Sequence, residues 1–255
     1  SVYANVGGRF VRQALELGPL SRRFVNAVAL VDLNNDRMPD LFVSTFGHGA
    51  YILWNRGGEF GADRMTALPN GQAVMMGAPG FADLDGDGDL DIVAGNWVAG
   101  TLIQFEHDVR ATDHVLWNEG SHFSESVLPG IPGETLTTLI TDVDGDGEPD
   151  IMVGDDSFGS DKVYLNRSGR RFELMTKSSG VIPWLTRSTM SFDTGDISND
   201  GRLDIYSAQT TSLTGGTASN HTADVEFCRT DMTNIHGNID QCFLEMKSRT
   251  EGFHN

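Results

Sequence analysis

The chain has 255 residues, 39% of them hydrophobic and 21% charged, which fits one large domain or two small ones and excludes a disordered polymer. Its 36 acidic side chains against 18 basic ones leave a net charge of −18, which argues against nucleic acid and anionic membranes as partners, since both are held through Lys and Arg. No apolar run of about 18 residues is present, so no membrane-spanning helix is expected.

Ser1 opens the chain without Met or a signal peptide, so either the N-terminus has been processed or this is a piece of a longer chain. From Val2 the sequence reads VYANVGGRF, an apolar strand, a Gly turn and a second strand opening on Phe, the signature of a hairpin. The same hairpin returns from Ile52 (ILWNRGGEF), Val115 (VLWNEGSHF) and Val163 (VYLNRSGRRF). A second element repeats out of phase with it: DLNNDRMPD from Asp32, DLDGDGDLD from Asp83, DVDGDGEPD from Asp142 and DISNDGRLD from Asp196, each flanked by apolar, β-rich segments. The nonapeptides recur about every 50–60 residues, too long for helical repeats and suited to a four-stranded propeller blade. Each unit reads strand, acidic loop, strand, connector, strand, Gly turn, strand. The predicted fold is all-β: a β-propeller of four-stranded antiparallel blades over residues 1–210, with three whole blades and a split or partial one. Residues 1–12 pair with 189–209 to close a small ring, or the chain is a segment of a larger ring; the tail favours the segment.

Residues 211–220 read as a connector rich in Thr, Ser and Gly. Beyond them Met232, Ile235, Ile239, Phe243 and Met246 recur at near-helical spacing, interrupted by Gly237. A linker and a partly helical, Cys-containing insertion or tail is expected over 211–255.

In the nonapeptides, positions 1, 3, 5 and 9 carry oxygen ligands that a curled loop brings to one point. These are Asp32, Asn34, Asp36 and Asp40; Asp83, Asp85, Asp87 and Asp91; Asp142, Asp144, Asp146 and Asp150; Asp196, Ser198, Asp200 and Asp204. The backbone carbonyls at position 7, from Met38, Asp89, Glu148 and Arg202, complete each set. Six to eight oxygens in a flexible geometry are the demand of Ca2+, whereas Mg2+ keeps its waters and a stricter octahedron. Up to four Ca2+ are expected, held tightest in the second and third loops, which carry the most carboxylates. An EF-hand is excluded because its bidentate Glu at position 12 is replaced by Val43, Ala94, Val153 and Ser207. The loops hold 16 of the 36 acids, so most of the net charge sits where a cation would neutralise it.

Loop and hairpin, recurring in order over residues 1–210, resemble the FG-GAP/VCBS repeats of integrin α-subunit propellers and related secreted proteins. The stretch from Arg187 to Tyr206 is similar to the UnbV/cartilage-acidic-protein type. The resemblance implies a propeller with structural calcium in the loop between the first two strands of each blade, acting as a binding platform; Arg37, Ser198 and the tail depart from the pattern. It also implies an extracellular, secreted or periplasmic setting, in which Cys228 and Cys242 form a disulfide; two buried thiols are the alternative.

No catalytic motif is found, so the chain is read as a non-enzyme. The densest other polar group, His107, Asp108, Asp113, His114 and His122, matches no ligand spacing and reads as a solvated loop. Trp54 and Trp117 occupy matching hairpin positions and read as packing between blades, while Trp97 and Trp184 read as loop residues suited to a binding surface. Asn166 and Asn220 begin glycosylation sequons. The expected function is adhesion, assembly or protein interaction with a protein or glycan partner, with a lectin or a polysaccharide-degrading enzyme on the same scaffold as the alternative.

Overall fold

The structure is a computed structural model that describes residues 2–13, 15, 17–69, 75–97, 111–130, 132–156, 161–175 and 189–209. His107, Asp108, Trp184, Asn220, both cysteines and the expected tail helices lie outside the described residues.

The described chain is all-β apart from two short 3₁₀ turns. Strands β1 (Val2–Val6) and β2 (Arg9–Gln13) form a two-stranded hairpin. Three four-stranded antiparallel sheets follow, each in simple up-and-down order. The first comprises β3 (Val25–Val31), β4 (Asp40–Thr45), β5 (Gly49–Leu53) and β6 (Met65–Ala67). The second comprises β7 (Met75–Ala82), β8 (Asp91–Trp97), β9 (His114–Asn118) and β10 (Phe123–Val127). The third comprises β11 (Thr135–Thr141), β12 (Asp150–Asp155), β13 (Lys162–Asn166) and β14 (Phe172–Leu174). A two-stranded sheet of β15 (Thr189–Gly195) and β16 (Asp204–Gln209) comes last. We number the four-stranded sheets blades 1 to 3 and the last pair blade 4.

The blades stack in chain order through their first strands, β3 on β7, β7 on β11 and β11 on β15. The second strands of blades 1 to 3 are buried on both faces, which is why LFV, IVA and IMV follow the loops without a polar alternation, whereas Ile205 and Tyr206 of β16 are exposed. One core cluster joins Phe42 and Ile52 of blade 1 to Ile92 and Leu116 of blade 2. A second joins Val93, Val115 and Trp117 of blade 2 to Ile151, Val153 and Tyr164 of blade 3.

Close stacking needs glycine where two blades meet. A Cβ on Gly95 in β8 would stand 2.6 Å from Thr135 Cγ2 of the next blade and 2.8 Å from the Ala78 carbonyl oxygen. Gly95→Ala is therefore expected to cost about 1–3 kcal/mol through overpacking, read as a lower urea midpoint at unchanged slope.

The matching tryptophans pack as expected of inter-blade residues. Trp117 is fully buried and stacks on Phe172 of blade 3, with ring centroids 6.2 Å apart. Trp54 packs against the core shared by blades 1 and 2. Both indoles donate to a hydroxyl on the outermost strand of their own blade, Trp54 to Thr66 and Trp117 to Ser126. Trp97 departs from the loop reading: it ends strand β8, paired in register with Met75.

Candidate metal centres

Each nonapeptide joins the first two strands of a blade, and strand rather than helix follows position 9 in all four. Positions 4 and 6 have left-handed backbone in every loop: Asn35 and Arg37, Gly86 and Gly88, Gly145 and Gly147, Asn199 and Gly201. Glycine adopts that region freely and Asn tolerates it, which is why loops two and three read DGDG. Arg37 keeps the same conformation at a steric cost, so the loop is shaped alike with and without glycine there.

The first carboxylate organises the turn. Asp83 Oδ1 accepts the N–H groups of Gly86 and Asp87 at 2.8 and 3.1 Å, and Oδ2 accepts that of Gly88 at 3.0 Å. Asp142 does the same with Gly145, Asp146 and Gly147. Asp32 takes Asp36 and Arg37, and Asp196 takes Asp200 and Gly201. At position 5, Asp36, Asp87, Asp146 and Asp200 each accept the N–H of position 7. The position-7 carbonyls of Met38, Asp89, Glu148 and Arg202 belong to these same turns.

The ninth residue has a second task that spacing alone did not show. Asp40, Asp91 and Asp150 are completely buried. One oxygen of each accepts the position-2 N–H of its loop, from Leu33, Leu84 or Val143. The other accepts the N–H of the hairpin residue Asn55, Asn118 or Asn166 at 2.7–2.9 Å. The carboxylate thus clamps the loop to the third strand, and each oxygen still has a lone pair for a cation. In blade 4, Asp204 Oδ2 accepts the N–H groups of Ile197 and Ser198.

The hairpin asparagines also link blades. Asn118 Nδ2 donates to the Leu33 carbonyl at 2.7 Å, and Asn166 Nδ2 to the Leu84 carbonyl at 2.8 Å, each reaching the loop of the preceding blade. Asn166 is wholly buried, so its sequon is not an accessible glycosylation site. Only the recurrence of Asn at one hairpin position hinted at this role.

Asp83, Asp85 and Asp87 bring one oxygen each to within 4.8 Å of one another, as do Asp142, Asp144 and Asp146. Arginines from the β13–β14 turn meet both groups. Arg167 Nη1 lies 2.8 Å from Asp144 Oδ2 and 3.4 Å from Asp146 Oδ2, and Arg170 Nε lies 2.8 Å from Asp85 Oδ2. Arg202 pairs with Asp200 in the fourth loop. The Oδ1 atom of Asp144 is buried and has no hydrogen-bond partner among the described residues. Three carboxylates, one of them with a buried oxygen left unpartnered, form a donor set suited to a hard cation, and the guanidinium drawn to them shows the sign of charge they attract.

Burial is the main force on the ninth carboxylates. It pushes Asp91 up to about 6, against the pull of the Asn118 and Leu84 N–H groups and helped by the charges of Asp85 and Asp87. Burial raises Asp40 and Asp150 in the same direction. Such groups bind protons more tightly folded than unfolded, so folding takes up protons as pH falls through about 6. His114, lowered by burial, opposes this, as do Glu119 and Asp200, which hydrogen bonds from Arg170 and Arg202 hold below the usual carboxylate range. In excess chelator the melting temperature is therefore expected to rise between pH 7 and 5. With saturating calcium the rise should disappear, because protons then compete with the cation.

The described members of the histidine group do not converge. Asp113 is buried and accepts the Thr135 hydroxyl and the Asn96 N–H. His114 lies 3.6 Å from Glu125 of β10, and exposed His122 contacts Ser121 in the β9–β10 turn. Asp113 instead belongs to an inter-blade cluster that sequence reading missed. Lys162 Nζ stands 3.5 Å from Asp113 Oδ2 and 3.8 Å from Asp155 Oδ2. Asp161 repeats the Asp113 pattern one blade on, accepting the Asp155 N–H and the Thr189 hydroxyl.

A family model described as an FG-GAP-like repeat matches residues 32–94 and 142–207, taking in acidic loops and the strands around them. The chain belongs to the FG-GAP-like repeat family. As an FG-GAP-like chain it is similar to integrin alpha-3 of Cricetulus griseus, 28% identical over 177 residues. That match covers 62% of this chain and 16% of the integrin, so the chain spans a small part of that relative's length. A solved structure concerned with recognition of non-reducing terminal N-acetylglucosamine by an Agrocybe aegerita lectin has a TM-score of 0.44 and 20% identity, covering 70% of this chain and 45% of that one. A likeness that loose bears on neither the fold nor the ligand of the FG-GAP-like chain. Among its described residues no helix is long and apolar enough to cross a membrane.

Proposed function

We propose that the chain is a calcium-stabilised propeller segment that serves outside the cytoplasm as a platform for adhesion, assembly or protein interaction. The observation that carries the proposal is the pair of three-carboxylate clusters, each held by hydrogen bonds from its own backbone N–H groups. Asp83, Asp85, Asp87 and Asp91 would hold one ion, and Asp142, Asp144, Asp146 and Asp150 another. The sets at Asp32, Asn34, Asp36 and Asp40 and at Asp196, Ser198, Asp200 and Asp204 would bind more weakly, with fewer charges. Bound calcium supplies positive charge that joins the two ends of the loop. The chain's own residues do the rest: the ninth Asp transmits loop order to the third strand, and the hairpin Asn transmits it to the neighbouring blade. Family membership and the integrin likeness support a protein partner.

Calorimetric titration of the chelator-stripped chain with CaCl2, with elemental analysis of the product, tests the metal reading. Two to four calcium per chain are expected. No bound calcium would overturn it. A glycan array and a polysaccharide panel, both run in calcium, test the platform reading, which predicts a blank array and no turnover. Calcium-dependent glycan binding would make the chain a lectin, and turnover would make it an enzyme.

A further inference from the structure

The β13–β14 turn of blade 3 serves two loops at once. It is one residue longer than the matching turns, with five residues between Asn166 and Phe172 against four between Asn118 and Phe123. Arg167, at its start, meets Asp144 in the loop of its own blade. Arg170, near its end, crosses to the loop of blade 2, where Nε donates to Asp85 Oδ2 at 2.8 Å.

Three contacts of different kinds hold Arg170 there. Nη1 pairs with Glu119 in the β9–β10 turn at 2.5 Å, and the guanidinium carbon lies 4.9 Å from the centre of the Trp117 ring. Trp117 in turn stacks on Phe172, two residues beyond Arg170 in its own blade. The backbone of Arg170 is left-handed, with φ of 62°, a conformation that disfavours any side chain. A planar fork that bonds two carboxylates and stacks on an indole cannot be replaced by the point charge of Lys. Asp85 is the third residue of its loop and has two oxygens. Arg170 takes Oδ2, while Oδ1 accepts the Asp87 N–H at 3.2 Å, inside the loop.

We propose that Arg170 is a positioning residue for the cation loop of the neighbouring blade. By tying Asp85 Oδ2 to its cationic guanidinium it fixes the carboxylate with Oδ1 inside the loop, where it is offered to a cation, and it makes occupancy of the second loop depend on the docking of blade 3. The proposal rests on the reading that the acidic loops bind calcium. Partners of this kind, one shell behind the ligands, typically change metal affinity about 10–100-fold when removed. A pure charge effect has the opposite sign, since deleting a cation beside a carboxylate cluster strengthens calcium binding.

The test is a calorimetric calcium titration of the whole chain carrying D142N, which weakens the third loop and leaves the second as the strongest site. R170Q and R170K are compared in that background, with the melting temperature in chelator and in calcium as a second readout. The proposal predicts that both variants weaken the strongest remaining site about tenfold or more and shrink the calcium-induced rise in melting temperature. R170K retains the charge, so if it folds and R170Q does not, it carries the test alone. In a D85N chain, R170Q should have no further effect on calcium affinity. Unchanged or tighter binding in R170Q and R170K, with normal binding in the parent, would overturn the role of Arg170 alone. Absence of calcium binding in the unmutated chain would overturn the cation reading and the proposal with it.

Discussion

Stripping calcium with excess chelator should lower the melting temperature by about 10–20 °C. A ligand that binds only the folded state stabilises it by about 2.7 kcal/mol at a hundredfold excess over Kd. Two strong loops then contribute about 5 kcal/mol, and a chain of this size shifts about 2–4 °C per kcal/mol. The structure gives a reason for the effect to be global. In loop two, Asp83 bonds the turn, Asp91 bonds turn to hairpin, Arg170 and the Leu84 carbonyl carry the contact to blade 3, and Asn118 carries it to the Leu33 carbonyl of loop one. Differential scanning calorimetry of the wild type and of D83N/D142N decides the matter. The double variant should melt in calcium where the wild type melts in chelator. Superimposable wild-type transitions with and without calcium would show that the loops are solvated turns whose own hydrogen bonds are sufficient.

Replacing Lys162 by Met should cost about 3–5 kcal/mol, the usual effect of removing one partner from a buried ionic group. The Lys162 side chain is 9% exposed, and those of Asp113 and Asp155 are 1% exposed. Asp161 is buried beside them. Its neighbours keep the ammonium charged: burial works against the charge, but Asp113, Asp155 and Asp161 together raise its pKa. The same setting keeps the Tyr164 hydroxyl protonated, first through burial and then through the two nearby carboxylates. Without the ammonium, carboxylates that span blades 2 and 3 face one another unscreened. No Cβ is tolerated beside them, since one on Gly133 would lie 2.0 Å from Asp155 Oδ2. Urea denaturation gives the measurement. A triple variant that adds D113N and D155N should recover part of the loss, because the uncompensated charge is removed. A cost below about 1 kcal/mol for K162M would mean that water reaches the cluster.

These two predictions concern different parts of the same interface. The acidic loops and hairpin asparagines tie neighbouring blades beside the loops. The Asp113–Thr135 and Asp161–Thr189 bonds, with Lys162, tie them through the connectors between second and third strands. Apolar residues such as Trp117, Ile151 and Tyr164 fill the space between. The loop contribution is expected to respond to calcium, whereas the lysine cluster already carries its own cation, so varying calcium separates the two experimentally.

The repeat architecture was legible in the sequence because it is local. Strand, acidic loop, strand and hairpin each lie within about ten residues, and the pattern DxDxDG is read along the chain without knowing what packs on it. Four-stranded antiparallel blades, strand after position 9 and the convergence of Asp83, Asp85 and Asp87 all follow from that local order. The sequence could not assign a second role to a residue that already had one. Asp91 reads as a ligand, and its burial as a clamp between Leu84 and Asn118 depends on β9 lying beside β8. Asn166 reads as a sequon until blade 2 covers it. Asp113 reads as part of a polar loop, and Lys162, 49 positions away, gives no sign along the chain that it is its partner. Arg170 reaches Asp85 across 85 positions. Burial and charge pairing between distant segments depend on how the blades stack, and that stacking is decided by the tertiary structure.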